Sequence, residues 1–208
     1  MTETMLNVSY LNASTHANGP GNRASVWVQG CNIGCNGCYN PSTHAHEPNR
    51  LLSPKEIADW YCSLPGVEGI TFSGGEPFEQ AKAVLEVVAE IDQATEESVS
   101  LFIYSGYSLE QLNNDLNQSV KSLLERVDIL SAGPFDWELM DNNLLWRGST
   151  NQELHFLSDR YNESMIEKWM SESPVEEITL SIDGIHYTGF GGPRSTFLKM
   201  AKSIFPNK

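Results

Sequence analysis

Three cysteines fall within eight positions of this 208-residue chain, as Cys31-Asn-Ile-Gly-Cys35-Asn-Gly-Cys38. Thiolates are soft ligands, and three on one short loop select iron–sulfur chemistry or zinc. A [4Fe–4S] cube takes four ligands, one per iron, so three cysteines leave one iron open to a substrate or cofactor. Structural zinc wants a fourth protein ligand. His44 and His46, just downstream of Cys38, are candidates for it, against their reading as solvated loop histidines. Three plain thiols are the remaining alternative. The fourth cysteine, Cys62, lies apart and reads as a small core or surface thiol.

The elements that position this loop follow from pattern. Residues 24–29, Ala-Ser-Val-Trp-Val-Gln, read as a short strand that delivers the cysteines. Residues 69–72 read as the next strand and run into Ser73-Gly74-Gly75-Glu76-Pro77. The glycine pair lets a ligand approach the backbone. Glu76, before a proline, is biased away from helix, so its carboxylate and the nearby carbonyls suit a ligand ammonium. Alone, this stretch is equally an ordinary tight turn. Strands over 99–104 and 127–131 lead into Tyr104-Ser-Gly-Tyr107 and Ala132-Gly133-Pro134. Between them, Ser53, Pro54 and Glu56 mark a capped helix start, with Ile57, Trp60, Tyr61 and Leu64 on one face. Further helices are expected over 78–95 and 109–126, the second with Leu116 on its apolar face. Residues 1–22 are polar and rich in Gly and Asn, without an expected element.

Strands alternating with amphipathic helices argue for an α/β fold with a parallel sheet, whose sites lie beyond the carboxyl ends of the strands. The cysteine loop and Gly74-Gly75-Glu76 should therefore share a rim. A full eight-unit barrel takes ~250 residues, so a partial, open (βα) barrel is expected. In the tail, 146–152 is a polar loop whose Arg147 meets an anion or braces the loop. Residues 162–172 look helical. Ile178–Ile182 and Ile185–Thr188 read as a β-hairpin turning on Asp183-Gly184, and a last helix is expected over 194–205. Residues 1–157 are taken as the core and 158–208 as a C-terminal extension packed on it, in a single domain.

The formal net charge of −14 opposes phosphate backbones and disfavours nucleic acid as a partner. No signal peptide is visible at the N-terminus, and no apolar run approaches the roughly 18 residues of a membrane span. Clustered cysteines unsuited to disulfides point to a reducing, cytoplasmic setting.

Cys-x3-Cys-x2-Cys after one strand and Gly-Gly-Glu-Pro after the next resemble the radical S-adenosylmethionine (SAM) superfamily. Asn18-Gly-Pro-Gly-Asn-Arg23, Gln29-Gly-Cys31, Cys38-Tyr39-Asn40, Ser42-Thr43, Tyr104-Ser-Gly-Tyr107 and Trp146-Arg-Gly-Ser-Thr-Asn-Gln152 are similar to its glycyl-radical-enzyme activase branch, that of anaerobic ribonucleotide reductase. The resemblance covers residues 16 to 157. It implies a [4Fe–4S] cluster on Cys31, Cys35 and Cys38, whose open iron chelates SAM. It also implies reductive cleavage to a 5′-deoxyadenosyl radical that abstracts hydrogen from a glycine of a partner enzyme, with an electron donor such as flavodoxin or ferredoxin. By position, Gly74, Gly75 and Glu76 hold the methionine amino group, and Tyr39 borders the adenine. Tyr104 and Ser105 line the ribose or carboxylate, and Ala132 to Phe135 lie near adenine or substrate. No general acid or base is required.

Two departures stand out. Most of the superfamily has an aromatic residue before the third cysteine, where this chain has Gly37, as the reductase-activase branch tends to. The chain also runs well past a compact activase. Two other readings stay open: a radical enzyme acting on a peptide or small molecule, and a non-catalytic Cys/His metal module.

Overall fold

The computed structural model of the chain describes residues 4–174, 176–181 and 184–190. A seven-stranded sheet is formed by β1 (Leu6–Thr15), β2 (Arg23–Val28), β3 (Arg50–Leu52), β4 (Gly69–Gly74), β5 (Ser100–Ser105), β6 (Ile129–Ala132) and β7 (Glu153–Phe156), in the order β3-β1-β2-β4-β5-β6-β7. The central strands β2, β4, β5 and β6 run parallel. Both flanks are antiparallel, through β1 and β3 on one side and β7 on the other.

The four central strands are the expected ones. They carry near-continuous apolar residues because both faces are covered. On β5, Leu101 and Ile103 face the main core, while Phe102 and Tyr104 face the opposite side, the two-residue period of a strand. The main core packs this sheet against α1 (Pro54–Cys62), α2 (Ala81–Ala94) and α4 (Gln118–Arg126), through Ile57, Val84, Val87, Val88, Ile91 and Leu123. Helix α1 starts with the expected capping box between Ser53 and Glu56, and Cys62 at its end is exposed.

The opposite face of the sheet is covered by rings. Phe102 and Ile129 pack with Leu145, Trp146 and Trp169, the last from α5 (Ile166–Glu172). Trp146 takes a left-handed φ of 48°, costly for a bulky residue. Its ring stands 5.5 Å from Phe102 and 5.1 Å from Trp169, and its carbonyl accepts from Ser131 Oγ at 2.9 Å, which hold it there.

Three expectations are corrected. The N-terminal stretch is not free of regular structure: β1 spans Leu6–Thr15 and buries Leu6 and Val8, with polar Asn12 and Thr15 also buried. The helix expected over 109–126 is two helices, α3 (Leu109–Asn114) and α4. Asp115 Oδ1 accepts from Asn117 N at 2.7 Å, and Asn117 caps α4 by accepting from Ser119 N, so local Asx bonding ends α3. Leu116, between them, is 94% exposed rather than on an apolar face. In the hairpin, β8 (Glu176–Ser181) pairs with β9 (Gly184–Gly189), and Ser181 lies opposite Gly184. Gly184 therefore begins a strand rather than completing the turn. Asp183 and the helix expected over 194–205 lie outside the described residues. No helix among the described residues is long and apolar enough to cross a membrane.

Arg23 ties the central strands together. It is fully buried and donates to Thr71 Oγ1 and the Ile70 carbonyl at 2.7 Å, to the Ser100 carbonyl at 2.9 Å and to Ser100 Oγ at 3.1 Å. Among the described residues no carboxylate shares these bonds, so the guanidinium is solvated by carbonyls and hydroxyls of β4 and β5. Arg23→Ala should cost on the order of 3 kcal/mol, because carbonyls on two strands lose buried donors, whereas Leu116→Ser should stay within about 0.5 kcal/mol. Urea denaturation monitored by circular dichroism distinguishes the two.

Candidate functional site

The cysteine loop leaves β2 and is fastened at several points. Gly30 N donates to the Thr43 carbonyl at 2.7 Å, and Cys31 N to the His44 carbonyl at 3.2 Å. Asn32 donates from both its backbone N and its Nδ2 to the Glu79 carboxylate, at 3.0 and 2.9 Å. Further along, Asn36 accepts from Trp137 N at 3.1 Å and donates to Asp136 at 3.1 Å. Gly37 has a φ of 74°, and a Cβ there would stand 2.8 Å from Trp137 Cβ, which explains why no aromatic residue precedes Cys38.

The loop after β4 lies directly against this one. Gly75 N donates to the Val28 carbonyl, and Glu76 N to the Gly30 carbonyl. A Cβ on Gly75 would stand 2.2 Å from the Gly30 carbonyl oxygen, so only glycine permits the approach. The result is one open cavity with about 620 Å³ of empty space, including its mouth. Cys31, Cys35, Cys38 and Tyr39 line it from one loop, Gly74, Gly75 and Glu76 from the next, and Tyr104 and Ser105 from the end of β5. The three cysteines, Tyr39, the Gly74-Gly75-Glu76 stretch, Tyr104 and Ser105 thus border the same space, whereas of the stretch expected over Ala132 to Phe135 only Gly133 and Phe135 do. Gln152 and Phe190 also line it.

Glu76 is buried, and its carboxylate accepts from Phe78 N at 3.0 Å, Ser105 Oγ at 2.9 Å and Gly106 N at 2.8 Å. Burial outweighs these three bonds and pushes the carboxyl up to about 7. Ser105 also accepts from Tyr107 N, so its hydroxyl is engaged and acts on the site through Glu76. Glu79, expected only as part of a helix, is a further positioning residue. Besides Asn32 it accepts from Tyr107 Oη at 3.2 Å, clamping the cysteine loop to the loop after β5. Its signal in sequence is a single acidic residue three positions after Glu76, which carries no pattern of its own.

The histidines separate. His46 is exposed, and its Nε2 lies 3.2 Å from Asn32 Oδ1. His44 lines the cavity, with a buried Nε2 that has no partner. Arg147 is half-buried and reaches the carbonyls of Leu145 and Gln152 at 3.4 Å each, so it braces its own loop.

The donor set fits a cluster with a bound polar cofactor. Among the described residues, no three His, Cys, Asp or Glu side chains gather tightly enough to hold a single metal ion. Three thiols bordering one cavity can each meet a separate iron of a cube. Burial pushes the Cys31 and Cys35 thiols up, so their thiolates need a cation to stabilise them. Tyr39 Oη and Tyr104 Oη, like His44 Nε2, are buried without partners, which leaves polar atoms around the cavity for a ligand to satisfy.

A family model described as a 4Fe-4S single cluster domain matches residues 17–155. The chain belongs to this family. Among its relatives is the anaerobic ribonucleoside-triphosphate reductase-activating protein of Vibrio cholerae, 35% identical over 144 residues, which are 66% of this chain and 90% of that protein. The protein of the same name from Escherichia coli K12 is 34% identical over 67% of this chain and 92% of its own length. That of phage T4 is 32% identical over 66% and 85%. The family match ends at β7, before α5 and the β8–β9 hairpin.

The raised carboxyl of Glu76 gives this site a pH signature. Its folded value, about 7, lies above the ordinary 4.5, so the cluster-free folded protein holds this proton more tightly than the unfolded chain does. That contribution is full below pH 4.5 and is lost as pH rises through 7. The stability of the cluster-free protein should therefore fall between pH 5 and pH 8. Glu76→Gln has no proton to lose but turns one acceptor into a donor facing the N–H and O–H groups of Phe78, Gly106 and Ser105, so it should be less stable at pH 5 and show a smaller fall. Urea melts at the two pH values provide the measurement.

Proposed function

We propose that this chain is a radical SAM activase that installs a glycyl radical on a partner enzyme, an anaerobic ribonucleotide reductase. One observation carries the reading: Cys31, Cys35 and Cys38 border the same cavity as Gly74, Gly75 and Glu76, in a chain whose relatives are named for activating that reductase. The sheet is read as the partial (βα) barrel of the superfamily. Residues 1–157 form its core and 158–208 an extension packed on it, and the protein works in the reducing cytoplasm.

When bound, the cluster and SAM supply the electron and the hydrogen-abstracting 5′-deoxyadenosyl group. The chain binds and orients them. Cys31, Cys35 and Cys38 hold three irons. Gly74 and Gly75 admit the methionine end against the backbone, and the Glu76 carboxylate accepts from its ammonium. Ser105 and Gly106 N keep that carboxylate aimed, because each donates to it. A bound cation also offsets the burial that raises the Glu76 carboxyl, so the least comfortable group of the cavity becomes a ligand contact. Tyr39 and Phe135, with ring centroids 4.6 Å apart, border the adenine and exclude water. Tyr104 lines the ribose. The acidic surface complements a basic face on the partner, and a flavodoxin or ferredoxin supplies the electron.

Anaerobically reconstituted protein should contain about four irons with matching sulfide and, with a reductant, convert SAM to 5′-deoxyadenosine; Cys38→Ala should abolish the conversion. One zinc per chain, or a full cluster that yields no 5′-deoxyadenosine, would overturn the reading. A glycyl-radical doublet in electron spin resonance that appears only with the reductase present identifies the target. A deoxyadenosine yield that instead rises with a peptide or small molecule would reassign it.

A further inference from the structure

The hairpin beyond the family match reaches into the site. Phe190 directly follows β9, thirty-five positions after the last matched residue, 155. Its ring centroid lies 5.6 Å from that of Tyr39, edge-on at 83°, and 5.7 Å from that of Tyr104. It lines the cysteine cavity itself, and also an adjoining smaller cavity with Asn18, Trp27 and Ser73. The hairpin that carries it is fastened away from the cavity. Glu177 accepts from Thr15 Oγ1 at 2.5 Å and from His16 N at 2.9 Å, while buried Thr188 meets Thr15 Oγ1 at 3.3 Å. The hairpin is therefore held by bonds between β8, β9 and the end of β1, outside the cavity that Phe190 enters.

The chemistry of the cavity is divided. Its acidic part is Glu76, suited to an ammonium. The rings of Tyr39, Phe135, Tyr104 and Phe190 supply apolar faces and edges, which suit a flat heteroaromatic group or a neighbouring sulfonium. We propose that Phe190 is a SAM-contacting residue, closing with Tyr39 and Tyr104 an aromatic wall against the adenosyl end of the cofactor, so that the C-terminal hairpin is part of the cofactor site. This rests on the reading of the cavity as a SAM site. The proposal assigns the hairpin a role in the chemistry: a family core completed by a ring from a later segment retains its cofactor more tightly and keeps water from that side.

Equilibrium dialysis of labelled SAM against anaerobically reconstituted protein, without reductant, measures affinity without turnover. Phe190→Ala should retain its iron and bind SAM about tenfold more weakly, about 1.4 kcal/mol, while Phe190→Tyr stays within about twofold of the unmodified protein. Competition by 5′-deoxyadenosine should weaken by the same factor, and competition by methionine should not change. Glu177→Ala, which loosens the hairpin without touching the cavity, should weaken SAM binding several-fold, and it decides the matter if Phe190→Ala fails to hold a cluster. Unchanged SAM affinity in cluster-loaded Phe190→Ala, or in Glu177→Ala where that variant decides, overturns the proposal. A fully loaded unmodified protein that binds no SAM overturns the cofactor reading itself.

Discussion

Gly75 and Gly30 touch through their backbones, with no side chain between them. A Cβ on Gly75 would meet the Gly30 carbonyl oxygen at 2.2 Å, a distance no rotamer change can relieve. Two hydrogen bonds lock the contact, from Gly75 N to Val28 and from Glu76 N to Gly30. The start of the cysteine loop and the fully buried Glu76 carboxylate are thereby held in one fixed relation. Side chains farther out, Glu79 on Asn32 and Asp136 on Asn36, then trim a loop whose root is already set. Any residue but glycine at position 75 would part the thiols from Glu76, and the cavity would divide into two surfaces without shared chemistry.

The lining of the cavity is electrostatically uncomfortable by itself. A buried carboxyl is pushed up to about 7, two thiols are pushed up by burial, and polar atoms of Tyr39, His44 and Tyr104 lack partners. Each of these costs stability in the absence of a ligand, and each is relieved by cations and hydrogen-bonding groups placed in the cavity. Such strain persists only where the surroundings over-determine it. Here the over-determination comes from the strands beneath, where Arg23 joins β4 to β5 through buried carbonyls and apolar side chains fill the core.

What could be read from the sequence depended on how local its cause was. The central strands, the capping box at Ser53 and the shared rim follow from patterns of a few residues, so they were legible. Strand β1 was not, because its alternation is masked by Asn12 and Thr15, polar residues whose burial is decided by distant partners such as Glu177. Leu116 fits a helical period, yet Asp115 and Asn117 satisfy neighbouring amides with their own side chains and end the helix; periodicity does not register that competition. Within the site, residue types that bind by themselves, the cysteines and the Gly-Gly-Glu stretch, were visible. Those that act through another group, Glu79 through Asn32 and Ser105 through Glu76, carry no signature, and Phe190 reaches the cavity only through tertiary structure.

The two faces of the sheet explain why a late segment can matter to an early motif. Helices α1, α2 and α4 pack on one face. On the other, Phe102 and Ile129 are sealed by Trp146 and Trp169, and Tyr104 continues the same row of β5 upward, stacked 4.5 Å from Phe102. That row passes from core to cavity without a break: the ring buried beneath Trp146 touches the ring that borders the site. Trp146 and Trp169 therefore supply core on this face, and Phe190, later in the chain, borders the cavity above them. A change that loosens Trp169 would be felt at Tyr104 through Trp146 and Phe102, because close-packed rings shift together. The stability of the segment and the shape of the site are consequently coupled in this chain, through side chains that lie outside the three-cysteine loop.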